Sequence, residues 1–101
     1  MYFITTVYIK NKEIVRTRTV GYFSDFNIIK KILETNSYDL YECGYYNFAV
    51  VENVPEGIYK YDMEPNWFKY DKKQEGFFEC PAPRLKNNFG EYAQIFAFSI
   101  G

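Results

Sequence analysis

The sequence predicts an α+β domain: a single antiparallel sheet with one short helix packed on one face, in the order β-β-α-β-β-β-β-β. Three observations predict it. The stretch from Tyr2 to Phe23 is rich in β-branched and aromatic residues and is broken once, by a polar tip. A helical pattern with a capping signal follows between Ser24 and Ser37. From Tyr45 onward, short apolar runs of period two alternate with Gly- and Pro-containing turns. At 101 residues the chain is read as one domain, residues 1–101, because two cores would not fit.

The first run, "YFITTVYIKNKEIVRTRTVGYF", reads as a hairpin about Asn11 and Lys12. A two-residue turn sets Lys10 opposite Glu13 and Ile9 opposite Ile14, and continues to set Val7 and Thr5 opposite Arg16 and Arg18. A four-residue loop would shift that pairing, and a slip of one residue exchanges the faces, so the inward face stays open. In the helix, Ser24 fits the N-cap and Asp25 the positive end of the dipole. Phe23 and Ile28 have the spacing of a hydrophobic staple. Ile28, Ile29, Ile32 and Leu33 form an apolar stripe, Lys30 and Glu34 an exposed pair, and Asn36 and Ser37 end the helix.

Past a bend at Gly44, Tyr45–Val54 reads as a strand. Tyr46, Phe48 and Val50 lie on one side, and Asn47, Ala49 and Val51 on the other. Pro55 and Gly57 mark a turn before a short strand at Ile58–Tyr61. "WFKYDKKQEGFFEC" reads as a second hairpin with its tip around Lys72–Gly76, stopped by Pro81 and Pro83. A loop then leads to a terminal strand, "YAQIFAFSI".

Composition excludes several chemistries. The 12 basic residues are scattered among 13 acidic ones, for a net charge of −1. General nucleic-acid binding needs concentrated Lys and Arg and is disfavoured. There is no histidine, so the commonest general base and zinc ligand is missing. Cys43 and Cys80 are too few for a disulfide framework or a structural zinc site, and both read as small buried residues. Glu42 beside Cys43 would raise, not lower, a thiol pKa. Glu42, Glu52, Glu56, Asp62 and Glu64 cluster in sequence, but in turns, where solvated acids are common. No phosphate-binding glycine loop occurs. The expectation is a non-enzyme without cofactor or metal. The start, "MYFITTVYIKNK", is unlike a secretory signal, and no run approaches a membrane span. A cytoplasmic protein with reduced thiols is expected.

Aromatic residues make up 22% of the chain, Tyr 11, Phe 10 and Trp 1. Most must fill the core, with tyrosine hydroxyls at its edge. One helix covers one sheet face, however, and rings left on the other face or on an edge would form an interaction surface. Tyr38, Tyr41, Tyr45, Tyr59, Tyr61, Trp67 and Tyr70 are the candidates for binding a partner. The same rings could instead sandwich a nucleobase, with Arg16, Arg18 or Arg84 meeting phosphate.

The motifs "YFITTV", "TRTVGYF" before the helix, Asn36 to Asp39 followed by Tyr41-Glu42, "NFAVVE", "EGIY", "WFKYD" and a terminal "SIG" span nearly the whole chain. In these the chain resembles a group of short proteins encoded by phages and prophages of low-GC bacteria. The resemblance carries no catalytic residue. It implies a setting in which small proteins act by occupancy, blocking a host defence component in the cytoplasm of the host cell. The expectation is an anti-CRISPR-like binder of a defence protein, with an acidic rim suited to an effector's basic groove. The alternatives are a homo-oligomeric sponge for a cyclic-nucleotide signal and a structural phage protein.

Overall fold

Asn11 and Lys12 both adopt left-handed backbone, with φ of 54° and 65°, as a type I′ turn requires. The strands on either side are β1, Tyr2–Lys10, and β2, Glu13–Phe23. The structure is a computed structural model and describes residues 1–54 and 65–84. The expected pairs Lys10–Glu13 and Ile9–Ile14 form at the turn. Beyond them the register shifts, so Val7 meets Thr17 and Thr5 meets Thr19 instead of the two arginines. The cause is a bulge: Val15 is an extra residue between Ile14 and Arg16, and Val20 is a second one before Gly21. The first bulge puts Arg16 opposite Tyr8 and Arg18 opposite Thr6, on the face that also carries Ile4.

The helix α1 spans Phe26–Glu34. Asp25, not Ser24, is its N-cap, because the Asp25 carboxylate accepts the Asn27 N–H at 2.9 Å. Ser24 then occupies the N′ position, so the expected Phe23–Ile28 staple has no place. Ile29 and Leu33 are buried, while Ile28 is exposed. Lys30 reaches across to Glu79 at 3.4 Å and so ties α1 to the last hairpin. At the C-terminus Thr35 Oγ1 donates to the Lys31 carbonyl at 2.8 Å, and Asn36 turns left-handed.

The remaining described strands are β3, Phe48–Asn53, β4, Asn66–Asp71, and β5, Gly76–Cys80. Together they form one five-stranded antiparallel sheet in the order β2-β1-β3-β4-β5. The second hairpin turns over residues 72–75, as its sequence predicts. The strands expected at 58–61 and 92–100 lie outside the described residues. β3 begins at Phe48, later than the expected Tyr45, because 42–44 form a 3₁₀ turn and the Asn47 side chain takes over the pairing.

Alternation sorts the apolar residues into two clusters. On the helix face Ile4, Ala49, Val51, Phe68 and Phe77 pack against Ile29 and Leu33. On the other face Val7, Val50 and Trp67 are joined by Ile9, Ile14, Phe48, Cys80 and Ala82. The expected division of β3 holds, with Ala49 and Val51 on one side and Phe48 and Val50 on the other. Burying rings such as Phe68 and Phe77 stabilises the fold by about 1.5–3 kcal/mol each. Gly76 permits a close backbone approach in this packing. A Cβ there would overlap the Glu34 carbonyl, so glycine lets the end of α1 sit directly on β5.

Candidate functional site

The tyrosine-rich connection between α1 and β3 is built from two short 3₁₀ turns, Ser37–Asp39 and Glu42–Gly44. Its backbone is strained. Asn36, Tyr38, Asp39, Glu42 and Cys43 all have φ between 49° and 64°. Each non-glycine residue held left-handed costs about 1 kcal/mol. Asn36 locks the start of the segment: its Oδ1 accepts the Tyr41 N–H at 3.1 Å, and its Nδ2 donates to Asp39 at 3.4 Å. This contact is the local meaning of the Asn36-to-Asp39 motif.

The consequence is that neighbouring rings go opposite ways. Tyr41 turns in and stacks on Tyr70, with ring centroids 3.5 Å apart and planes 6° from parallel. Phe77 meets both rings edge-on. Burial, then Tyr41 and the acids Glu75, Asp39 and Asp71, push the Tyr70 hydroxyl above its ordinary 10.0, so it stays protonated. Tyr38 points out and is 84% exposed. Tyr45 is half exposed, and its ring meets that of buried Tyr46 edge-on at 5.0 Å.

The same connection meets the two arginines of β2. The Arg16 guanidinium lies 3.8 Å from the Tyr45 ring centroid and 4.4 Å from that of Tyr8, and its Nε donates to the Tyr45 carbonyl at 3.2 Å. Arg18 pairs with Glu42 at 3.3 Å. Arg84 follows β5, which among the described strands is the one farthest from β2. Four strand spacings, about 19 Å, separate the two. The three arginines proposed to meet phosphate are therefore two and one, with the two already engaged.

Beside this cluster an apolar groove runs between α1 and β2, with a volume of about 400 Å³. Ile4, Val20, Gly21, Tyr22, Phe23, Ile32, Tyr38 and Leu40 line it. Gly21 forms part of its wall: a Cβ there would meet nothing within 4 Å. Tyr22 is 62% exposed, with its ring 5.4 Å from that of Phe3.

Of the residues singled out from sequence, Tyr38 and Tyr45 lie outside, and Tyr41 and Tyr70 form the edge of the core. Trp67 is a correction, being 3% exposed and packed in the second cluster with Val7 and Val50. Tyr59 and Tyr61 fall outside the described residues. The acidic rim also changes character. Glu52 is buried and Glu42 is paired with Arg18, while Glu56, Asp62 and Glu64 lie outside the described residues. Tyr8, Gly21 and Tyr22 were missed. Gly21, a glycine inside a strand-like run, is the signal that could have found the groove.

Of the two cysteines, Cys43 is exposed, against expectation, and Cys80 is half-buried. Burial pushes the Cys80 thiol above its ordinary 9.0, with Lys69 pulling weakly the other way. Among the described residues no three His, Cys, Asp or Glu side chains gather as a metal site would require, and no helix is long and apolar enough to cross a membrane. No family model, curated protein or solved structure matches the chain.

Proposed function

We propose that this is a non-enzymatic binding protein of phage or mobile-element origin. It acts in the host cytoplasm by occupying a bacterial defence protein, with a CRISPR effector as the leading class. One observation carries the binding part of this reading. A strained segment presents Tyr38 to solvent beside an apolar groove, while its neighbour Tyr41 is folded into the core. Strain held in that way marks a surface that is used, and tyrosine is among the residues that dominate interface energetics. The anti-defence part rests on the phage resemblance of the sequence.

The cyclic-nucleotide sponge finds less support. It needs arginines converging at the mouth of a ring-lined pocket. Instead, Arg16 is held between two rings, Arg18 is paired, and Arg84 follows the far strand.

Capture from a lysate of the bacterial host tests the proposal. The wild-type chain is expected to retain a host defence protein, and the Tyr38→Ser/Tyr45→Ser variant to lose at least nine-tenths of it while melting normally. If instead cyclic nucleotides raise the melting temperature and no host protein is retained, the sponge replaces the blocker.

A further inference from the structure

Three residues in a row, Glu42, Cys43 and Gly44, hold left-handed backbone, with φ of 49°, 55° and 101°. Only the glycine takes that conformation without steric cost. On either side the chain is anchored, since Tyr41 stacks on Tyr70 and Tyr46 is buried. Between those anchors Glu42, Cys43 and Tyr45 are all exposed, so no buried side chain of 42–45 offsets the strain. The backbone bonds of the turn run from the Gly44 and Tyr46 N–H groups to the Tyr41 carbonyl, at 3.1 and 3.3 Å, and from the Tyr45 N–H to the Glu42 carbonyl at 3.1 Å. An exposed turn with few apolar contacts belongs to the low-stability end of a fold.

What holds this turn down is β2. Apart from the edge-on contact of Tyr45 with Tyr46, its side-chain ties among the described residues reach two arginines of that strand. The Arg16 guanidinium lies on the Tyr45 ring, is backed by Tyr8, and donates from Nε to the Tyr45 carbonyl. Arg18 meets the Glu42 carboxylate. The two ties differ in kind. A guanidinium held between two rings and bonded to a carbonyl is partly shielded from salt. The ion pair joins side chains that are 62% and 39% exposed, so it is weak and readily screened.

We infer that residues 42–45 are a flap, hinged at Tyr41 and Tyr46, that opens and closes as a unit while the sheet stays folded. Arg16 is its latch, and Arg18 a weaker, salt-sensitive catch. The left-handed strain favours the open state, because an opened flap returns to ordinary backbone. Opening parts Glu42 from Arg18 and Tyr45 from Arg16 together, leaving Arg16 on Tyr8 alone. One motion thus changes the charge that this face of β2 presents. The flap is a property of the fold, whatever the protein binds.

Amide hydrogen exchange of the full chain, followed by NMR in water and in sub-denaturing urea, tests this. The Gly44, Tyr45 and Tyr46 amides report the flap, and the β1–β3 and β3–β4 ladders report the sheet. Flap amides are expected to be protected and to exchange independently of urea, while ladder amides accelerate with it. Arg16→Ala should speed flap exchange about tenfold or more, because two ring contacts and a charge-assisted hydrogen bond are lost. Arg16→Lys keeps the charge but not the planar fork and should act nearly as strongly. Val51→Ala, a core truncation away from the flap, should speed the ladder amides and leave the flap amides unchanged. Added sodium chloride should speed the wild-type flap about twofold, and Arg18→Ala should abolish that response. Should both Arg16 variants misfold, Tyr45→Ala loosens the latch from the other side and is read at the Gly44 amide. Flap amides without protection, flap and ladder accelerating together in urea or in Val51→Ala, or an Arg16→Ala flap as slow as wild type would overturn the inference. A salt response that survives Arg18→Ala would overturn the catch.

Discussion

Asn47 offers the sharpest test of how the sheet is assembled. Its side chain behaves as a short length of strand: Oδ1 accepts the Ile9 N–H at 2.9 Å and Nδ2 donates to the Ile9 carbonyl at 2.9 Å. Its main chain continues the ladder on both sides, with its N–H to the Val7 carbonyl at 3.1 Å and its carbonyl to the Tyr70 N–H at 3.0 Å. The side chain thus extends the β1–β3 pairing past the point where β3 begins. Asn47→Leu keeps the volume and removes both side-chain bonds. At a net 0.5–1.5 kcal/mol each, two partly buried bonds are worth about 1–3 kcal/mol. For a domain of this size that is a fall in Tm of about 4–24 °C, read by thermal and urea melts with an unchanged m-value. Asn47→Asp refines the test. Its carboxylate still accepts from Ile9 but turns an acceptor on the Ile9 carbonyl. The protonated acid restores both bonds, so folding raises its pKa. The variant should therefore approach wild type below about pH 4, the unfolded carboxyl value, and lose stability as pH rises. A loss under 0.5 kcal/mol in Asn47→Leu, or an Asn47→Asp variant insensitive to pH, would refute this account of the junction.

Gly76→Ala should cost about 2 kcal/mol or more in urea unfolding, because the added methyl meets the Glu34 backbone, which cannot yield without moving α1. The Asp71 carboxylate caps its own turn, accepting from the Lys73 N–H at 2.9 Å and from Gln74. These bonds, the Lys73 N–H first, hold it below its ordinary 3.8 against a smaller opposing effect of burial. A depressed acid stabilises above the unfolded value and loses that contribution as pH falls through the folded one. The stability gap between wild type and Asp71→Asn should therefore be present at pH 7 and close as pH drops below 3.8. Iodoacetamide at pH 8, followed by mass spectrometry, should label exposed Cys43 well ahead of Cys80; equal rates would refute the burial of Cys80.

Legibility followed the range of the interactions. The turn at Asn11–Lys12 and the period-two division of β3 depend on neighbours in sequence or on burial of one face, and both could be read. The bulges at Val15 and Val20 could not. An extra residue is set by what the strand must meet across the sheet, here Tyr8 for Arg16 and Ile4 for Gly21. The N-cap was read one residue early because Ser24 and Asp25 are both good caps, and only geometry chooses between them. The site was legible as a composition and not as a surface. Tyrosines crowd residues 38–46, yet which ones are wet depends on left-handed backbone at residues such as Glu42 and Cys43, which sequence gives little reason to expect.

That strain also separates a structural from a functional role for Tyr38. Its φ of 64° suits glycine better than any side chain with a Cβ, and its ring is 84% exposed, so the fold gains little from it. Relief of a left-handed Cβ gives back about 1–2 kcal/mol, and the extra freedom of glycine in the unfolded chain takes away about 0.5–1 kcal/mol. Tyr38→Gly should therefore leave stability unchanged or raise it by up to about 1.5 kcal/mol, while on the proposed function its retention of a host protein falls. Tyr38→Asn, which tolerates the same backbone, should behave alike. Should a smaller residue fold as well at this position, the ring belongs to the proposed binding surface and not to the fold. Urea melts of both variants decide the matter: a loss beyond 1 kcal/mol in Tyr38→Gly would mean that the ring is holding α1 and the 36–44 segment together, and the surface it presents would have to be explained without it.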